Sequence, residues 1–345
     1  MRAIRRKAAL FLTALLLTTG LVYLLMRPAH RTGMTGEEIY HALETQVGAF
    51  ENQVRLGTIV DHAQAEQAFF RLCYVHPEYF WLKSCSYTDG EDGTCIEIDM
   101  PYTREEIAEM YRRLDARASQ IIDRMPSYTT DYSRVLYLHD YLVTHTEPAD
   151  TSETGRIYDA YGALVEGRAV CSGYSQAMVL LLQRAGIPCG ICEGLAGGSR
   201  HSWNYACVSG VYYWIDATWD DPAGTELVHD YCLTDDAHLQ RSRQVDTDSS
   251  LYYIPFVPVC GSMEQSYFAM NGTLLDSYDP QVLSALIRSH SGRLELMFTQ
   301  HSDYTACLHA LLEEGYFRTI PGMEERALTV TQNDQMDTLV LEYGR

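Results

Sequence analysis

Three short stretches decide the fold of this chain: Arg168-Ala169-Val170-Cys171-Ser172-Gly173-Tyr174, His201-Ser202-Trp203-Asn204 and Asp216-Ala217-Thr218-Trp219-Asp220-Asp221-Pro222. They place a cysteine, a histidine and an aspartate in order within one compact region. This order is typical of a thiol nucleophile, its base and the group that orients the base. A thiol becomes a strong nucleophile only as the thiolate, which a nearby imidazole or a helix N-terminus stabilises. The segment offers both.

Cys171 stands at the start of a predicted helix. Apolar residues follow it at helical spacing up to Leu182, and the Gly186 and Pro188 that come next predict the helix end. The unpaired N–H groups of the first turn would face the sulfur, where they stabilise a thiolate and a developing oxyanion. The alternative is that Cys171 is a buried small hydrophobe, as most helical cysteines are.

The histidine and the aspartate belong to a predicted hairpin with a two-residue turn at Ser209-Gly210. Its arms begin at His201 and end at about Ala217. In this register both Asp216 and Asp220 are diagonal neighbours of His201, with Cβ atoms roughly 7–8 Å away. Strand spacing alone therefore leaves the choice of orienting carboxylate open.

Aromatic residues surround the predicted triad, and Tyr174, Trp203 and Trp219 are the candidate substrate-binding residues. The two tryptophans would shield the ion pair from water or line a groove, and ordinary core packing is the alternative for both. Asn204 falls on the strand face opposite His201, which predicts a structural hydrogen-bonding role.

The same stretches carry a family resemblance. The chain resembles the transglutaminase-like superfamily of bacterial exported proteins, strongly from about Tyr158 to Asp235 and weakly upstream through Leu138-His139-Asp140-Tyr141-Leu142. One departure is the segment His145-Thr146-Glu147-Pro148-Ala149-Asp150, which replaces the tyrosine-rich link usual in similar sequences.

The resemblance implies a papain-like core in which Cys171 is the nucleophile, His201 the base and Asp216 the orienter, so that Asp216 is preferred over Asp220. It also implies acyl transfer on peptide or carboxamide bonds through a thioester, by a hydrolase or a transglutaminase. No metal or organic cofactor is expected. The alternative is a non-catalytic cell-surface module that binds peptide or glycan in the same cleft.

The expected fold class is α+β, with the helix that carries Cys171 packed on an antiparallel sheet that carries the histidine and the aspartate. The predicted regions are an N-terminal signal anchor (1–30), a mainly helical region with one hairpin (34–150), the catalytic core (151–254) and a small α+β module (255–345). We expect no catalytic residues in the C-terminal module.

The N-terminus predicts export. Basic residues at positions 2–7 precede an uncharged apolar run from Ala8 to Met26, whose length falls within the roughly 17–25 residues that span a bilayer. The basic flank predicts an N-terminus inside the cytoplasm and the bulk of the chain outside it. Without a clear small-residue cleavage site, an uncleaved anchor is preferred over a cleaved signal peptide.

Several polar residues and cysteines receive structural interpretations. His139 lies on or beside an apolar helical stripe and is predicted to be a packed structural histidine. Cys189 and Cys192 form a C-x-x-C without the partners of a zinc site, and their context predicts a strand. Cys85 and Cys95 flank a turn where a cross-strand disulfide would fit an oxidising compartment.

The formal net charge of −20 leaves no basic field for phosphates, which argues against nucleic-acid binding. The expected partners are a peptide or protein substrate and the membrane.

Overall fold

The computed structural model describes residues 33–127, 130–221, 227–247 and 256–344. Its helices are α1 (Gly36–Gly48), α2 (His62–Val75), α3 (Arg104–Asp123), α4 (Asp131–His145), α5 (Cys171–Arg184), α6 (Asp236–Leu239), α7 (Tyr267–Asn271), α8 (Pro280–Ser289) and α9 (His301–Leu312), with a π-helical turn at Gly162–Glu166 and a 3-10 turn at Tyr316–Thr319. Its strands are β1 (Gln53–Arg55), β2 (Ser84–Gly90), β3 (Gly93–Asp99), β4 (Glu147–Pro148), β5 (Arg168–Ala169), β6 (Cys189–Ala196), β7 (Ser199–Val208), β8 (Val211–Ile215), β9 (Cys232–Thr234), β10 (Arg243–Val245), β11 (Leu274–Leu275), β12 (Arg293–Phe298), β13 (Leu328–Asn333) and β14 (Thr338–Tyr343). The predicted α+β class is confirmed.

The N-terminal region combines α1 to α4 with a small antiparallel sheet in the order β1-β3-β2. The hairpin predicted for this region is β2 and β3. A capping box formed by Thr103 and Glu106 begins α3. Strand β1 was not predicted, because three residues are too few to show an alternating pattern. The segment after α4, where this sequence departs from similar sequences, forms β4. This strand pairs in parallel with β5, just before Cys171.

The disulfide expected between Cys85 and Cys95 is wrong. The strand register places Cys85 opposite Ile98 and Cys95 opposite Thr88, so the two cysteines are not cross-strand partners. Both thiols are free. The turn they flank is tighter than expected, because β2 and β3 continue to Gly90 and Gly93.

The catalytic-core sheet has five antiparallel strands in the order β10-β6-β7-β8-β9. The predicted hairpin register is confirmed where Val208 pairs with Val211, but β8 ends at Ile215, before Asp216. Helix α5 packs its apolar face on β6 and β7. This packing sets the start of α5 against the strand that carries His201.

Gly173 allows the first turn of α5 to approach the preceding chain closely. A Cβ at this position would lie 2.6 Å from the carbonyl oxygen of Ile157 and 2.8 Å from the Cβ of Ala169. Both obstacles belong to buried, packed chain. The position therefore has no room for a side chain.

We expect Gly173→Ala to lower the free energy of unfolding by about 1–3 kcal/mol, because overpacking forces the backbone to shift. Urea unfolding measures the loss. Gly36→Ala is the matched control, since Gly36 also lies in the first turn of a helix and a Cβ there would meet no atom within 4 Å. Equal stability of the two variants would contradict the packing argument.

The C-terminal module is a four-stranded sheet in the order β11-β12-β14-β13, with α8 and α9 providing much of its core. The two helices and the sheet agree with the small α+β module predicted for this region. The module is joined to the catalytic core by a shared apolar cluster, in which Trp203 and Trp214 pack with Phe268, Met297 and Met336. The module thus supports the back of the strand that carries His201.

None of the helices in the described ranges is long and apolar enough to cross a membrane. The predicted signal anchor at 1–30 lies outside the described residues.

Candidate active site

The three predicted catalytic residues come from three different elements and meet in space. Cys171 is the first residue of α5, His201 lies on β7, and Asp216 follows β8 directly. The His201 Nε2 atom lies 2.8 Å from Asp216 Oδ2, and the Cys171 thiol makes a hydrogen-bonding contact with the imidazole. Because Asp216 engages Nε2, the ring nitrogen left for the thiol is Nδ1.

The electrostatics of this trio favour a thiolate and an imidazolium. Burial raises the pKa of the Cys171 thiol, but the contacts with His201 and Ser202 outweigh burial and bring that pKa below its usual value. Burial lowers the pKa of His201, whereas Asp216 and Cys171 raise it to about 9. An acid–base pair with pKa values displaced in these opposite directions is typical of an activated cysteine.

Ser202 adds a feature that the sequence reasoning missed. Its backbone N–H and its hydroxyl both contact the Cys171 sulfur and help to lower the thiol pKa. The hydroxyl also accepts a hydrogen bond of 3.3 Å from Ser175 on α5. The available signal was the position of Ser202 next to His201, because the backbone of that residue necessarily lies close to the predicted catalytic histidine.

Arg243 holds the orienting carboxylate from the far edge of the sheet. Its Nε donates to Asp216 Oδ2 over 2.9 Å, and its side chain is wholly buried. The guanidinium lies over the rings of Trp219 and Tyr231, at 4.2 and 3.9 Å from their centres. Together with His201, Arg243 keeps the pKa of the buried Asp216 below its usual value despite burial. No sequence motif marks this arginine.

A cavity of about 170 Å³ is lined by Ser172 and Ser202, the chain neighbours of Cys171 and His201. The core contributes Ser172, Gln176 and Ser202 to its wall, and the N-terminal region contributes a largely apolar side that includes Phe70 and Leu82. The thiol itself is half-buried. The cavity therefore lies between the core and the N-terminal region, next to residues that adjoin Cys171 and His201 in the chain.

The fold and this geometry agree with a comparison against known families. Residues 119–219 match the model of the transglutaminase-like superfamily. This part of the chain is similar to the transglutaminase-like superfamily. The match includes Cys171, His201 and Asp216, and it ends before Arg243. A search of curated proteins finds no match to the chain.

Solved structures share parts of this fold at low similarity. A TGase is 13% identical and covers 43% of this chain and 47% of its own, with a TM-score of 0.30. A cysteine-protease candidate from Cytophaga hutchinsonii is 15% identical, with coverages of 39% and 61% and a TM-score of 0.28. A protease candidate from Parabacteroides distasonis ATCC 8503 is 10% identical, with coverages of 75% and 61% and a TM-score of 0.26. The chain thus spans less than two thirds of each.

Two of the three substrate-binding predictions are wrong. In the transglutaminase-like core, Trp203 is fully buried behind the sheet, and Tyr174 is buried with its hydroxyl bonded to Thr146 and Asp221. Trp203 packs in the cluster shared with the C-terminal module, and Tyr174 packs in the main core. Neither residue lines the cavity. Trp219 is partly exposed and meets the edge of His201 at 5.9 Å between ring centres, so its substrate contact stays a prediction.

The remaining polar residues lie outside the catalytic trio and are buried. Asn204 is buried and donates to the carbonyls of Ser175 and Gly190. His139 is fully buried, and its Nε2 lies 3.0 Å from Asp220 Oδ2. Asp220 therefore serves His139, and Asp216 serves His201, which resolves the choice that strand spacing left open.

Proposed function

We propose that this chain is a thiol acyl-transfer enzyme that acts on peptide or carboxamide bonds through a thioester on Cys171. One observation carries the proposal: the Cys171 thiol contacts an imidazole that Asp216 holds at 2.8 Å. This is the arrangement of a nucleophile, a base and an orienter. A thiol in a merely structural position has no need of the other two.

In the first half-reaction the Cys171 sulfur attacks the carbonyl carbon, after its proton has passed to His201. The C–N bond then breaks as the C–S bond remains, and the imidazolium returns the proton to the leaving amine or ammonia. In this mechanism the free backbone N–H groups of the first turn of α5 stabilise the developing oxyanion. Asp216 keeps the imidazole in the tautomer and orientation that this transfer requires.

In the second half-reaction water or a primary amine attacks the thioester, and the thiol is released. Water makes the enzyme an amidase or protease, and an amine makes it a transglutaminase. The partly apolar cleft favours a peptide or protein acyl donor. We further propose that the apolar N-terminal run exports the chain and anchors it, so that it acts outside the cytoplasm.

The pH dependence of thiol alkylation tests the activated state of Cys171. We expect iodoacetamide to modify Cys171 faster at pH 7 than an ordinary thiol, because the lowered pKa of Cys171 increases its thiolate fraction. In His201→Ala the reaction should slow at pH 7 and recover only above the usual thiol pKa of about 8.5. Mass spectrometry of the modified peptide measures both rates. Cys207→Ser is the control. Because Cys207 is another half-buried cysteine, its replacement should leave the alkylation of Cys171 unchanged.

Substrate turnover should also depend on pH, with an upper limit set by the protonation of His201. Because the imidazolium must protonate the leaving group, hydrolysis of a quenched fluorescent casein should fall as the pH passes about 9, where His201 loses its proton. Incorporation of a fluorescent amine into casein distinguishes transamidation from hydrolysis. Fast alkylation without an acyl-enzyme or turnover on any acyl donor would favour the peptide- or glycan-binding module instead.

A further inference from the structure

A second cluster of titratable residues lies outside the catalytic trio. His139 and Asp140 on α4 meet His229, which precedes β9. The Nδ1 of His139 and the Nε2 of His229 lie 3.0 and 3.1 Å from the same carboxylate oxygen, Asp140 Oδ1. All three atoms are within 4.8 Å of one another. Two imidazoles and one carboxylate are a common donor set for borderline metal ions.

In each imidazole, the ring nitrogen that does not face Asp140 contacts a buried carboxylate. His139 Nε2 contacts Asp220, and His229 Nδ1 contacts Glu295 of the C-terminal module at 3.1 Å. Metal-binding histidines nearly always direct their second nitrogen to such a partner, which fixes the ring and the tautomer. The ring of His229 is also stacked on Tyr267, with centres 3.7 Å apart and planes 2° from parallel.

The charge and spacing of the cluster also suit a cation. Three carboxylates face two imidazoles, and Arg293 pairs with one of them, Glu295. The cluster is therefore net negative when both rings are neutral, which is the state in which histidine binds a metal. In a tetrahedral Zn²⁺ site the donor atoms are about 3.3 Å apart, given bonds of about 2.0–2.1 Å. The observed separations from Asp140 differ from this by only a few tenths of an ångström. Asp140 is about one-third exposed, which gives an ion a way in.

We propose that His139 Nδ1, Asp140 Oδ1 and His229 Nε2 form a binding site for a divalent transition-metal ion, with Zn²⁺ as the ion that best fits the donors. Asp220 and Glu295 orient the two ring ligands. The sequence predicted no metal, because the ligands lie on segments far apart in the chain. The bound ion would tie α4 to the chain before β9 and, through Glu295, to the C-terminal module.

The site also connects to the catalytic region. Asp220 accepts the N–H of Tyr231, and its own N–H bonds the carbonyl of Asp216. An ion that fixes His139 therefore fixes the turn that follows the catalytic aspartate. The proposal does not depend on catalysis, and its test measures binding and stability.

The test uses the full chain, incubated with Zn²⁺ and dialysed, with metal content determined by elemental analysis. We expect stoichiometric Zn²⁺ in the wild type and loss of at least about tenfold in affinity in Asp140→Ala and His229→Gln. Saturating Zn²⁺ should raise the Tm of the wild type by about 5 °C, and EDTA should reverse the rise. Circular dichroism verifies that the variants fold.

His145→Gln is the matched control, because His145 is an exposed histidine on the same helix, and it should bind Zn²⁺ as the wild type does. Co²⁺ provides a second readout that separates this site from cysteine binding. Bound Co²⁺ should show weak visible bands without a thiolate charge-transfer band. Equal binding by wild type, Asp140→Ala and His229→Gln, a thiolate band, or no stoichiometric binding at all would each overturn the proposal.

Discussion

Cys171→Ala should abolish covalent labelling by acyl-mimicking electrophiles and lower acyl-transfer turnover by at least about 10⁴-fold, because removing the nucleophile of a triad leaves only binding and oxyanion contacts. The fold should persist, since the thiol is half-buried and at the first position of α5. Intact-mass spectrometry and the casein assays measure the two losses, and thermal unfolding measures the fold.

The matched control for this prediction is Cys207→Ala, which removes another half-buried thiol on β7 and should keep both labelling and turnover. His201→Ala should resemble Cys171→Ala in turnover, since residues of one triad do not contribute additively. If Cys171→Ala retained wild-type turnover, the nucleophile would be another group and the proposed mechanism would be wrong.

Arg243→Gln should lower the free energy of unfolding by about 3–5 kcal/mol, because breaking a buried pair leaves Asp216 with an incompletely compensated charge. It should also reduce turnover. Arg243 helps to hold the pKa of Asp216 low, so its loss raises that pKa. The acid limb of the pH–rate profile should then move to higher pH, since a protonated Asp216 no longer orients His201. Urea unfolding and kcat measured against pH test the two effects.

Arg243→Lys separates charge from geometry. A lysine keeps the positive charge but lacks the planar fork and stacks less well between Trp219 and Tyr231. Relative to Arg243→Gln, Arg243→Lys should return most of the acid limb of the pH–rate profile to its wild-type position. It should recover only part of the lost free energy of unfolding. Arg200→Gln is the control, because Arg200 is a half-exposed arginine of the same sheet. Its replacement should change the free energy of unfolding little. An unchanged acid limb in Arg243→Gln would show that the arginine does not act through Asp216.

The parts of the site that the sequence predicts are those encoded by local pattern. The apolar stripe after Cys171 gives α5, and the two-residue turn at Ser209-Gly210 gives the hairpin register that brings β7 and β8 together. The choice of Asp216 came from the family resemblance, because two aspartates four residues apart are equivalent in a hairpin diagram. The structure separates them: β8 ends at Ile215, and the turn that follows directs Asp216 to His201 and Asp220 to His139.

The parts that the sequence does not predict depend on contacts between distant segments. Arg243 lies on a three-residue strand, too short to show periodicity, and only sheet pairing with β6 brings it under Asp216. Trp203 and Tyr174 looked like cleft residues because they are close to the triad in sequence. Trp203 is buried in a cluster shared with the C-terminal module, and the Tyr174 hydroxyl bonds to Thr146 and Asp221. Neither set of contacts can be inferred from local spacing.

The placement of the site on separate elements has a consequence for the newly made chain. The sulfur, the imidazole, the carboxylate and the guanidinium reach one another only after α5 has docked and strands β7, β8 and β10 have joined one sheet. Before that, Cys171 is an ordinary thiol, mostly protonated at neutral pH. If Cys171 has the proposed function, nascent molecules are thereby protected from premature acylation. We expect thiol reactivity to begin only when this sheet has closed.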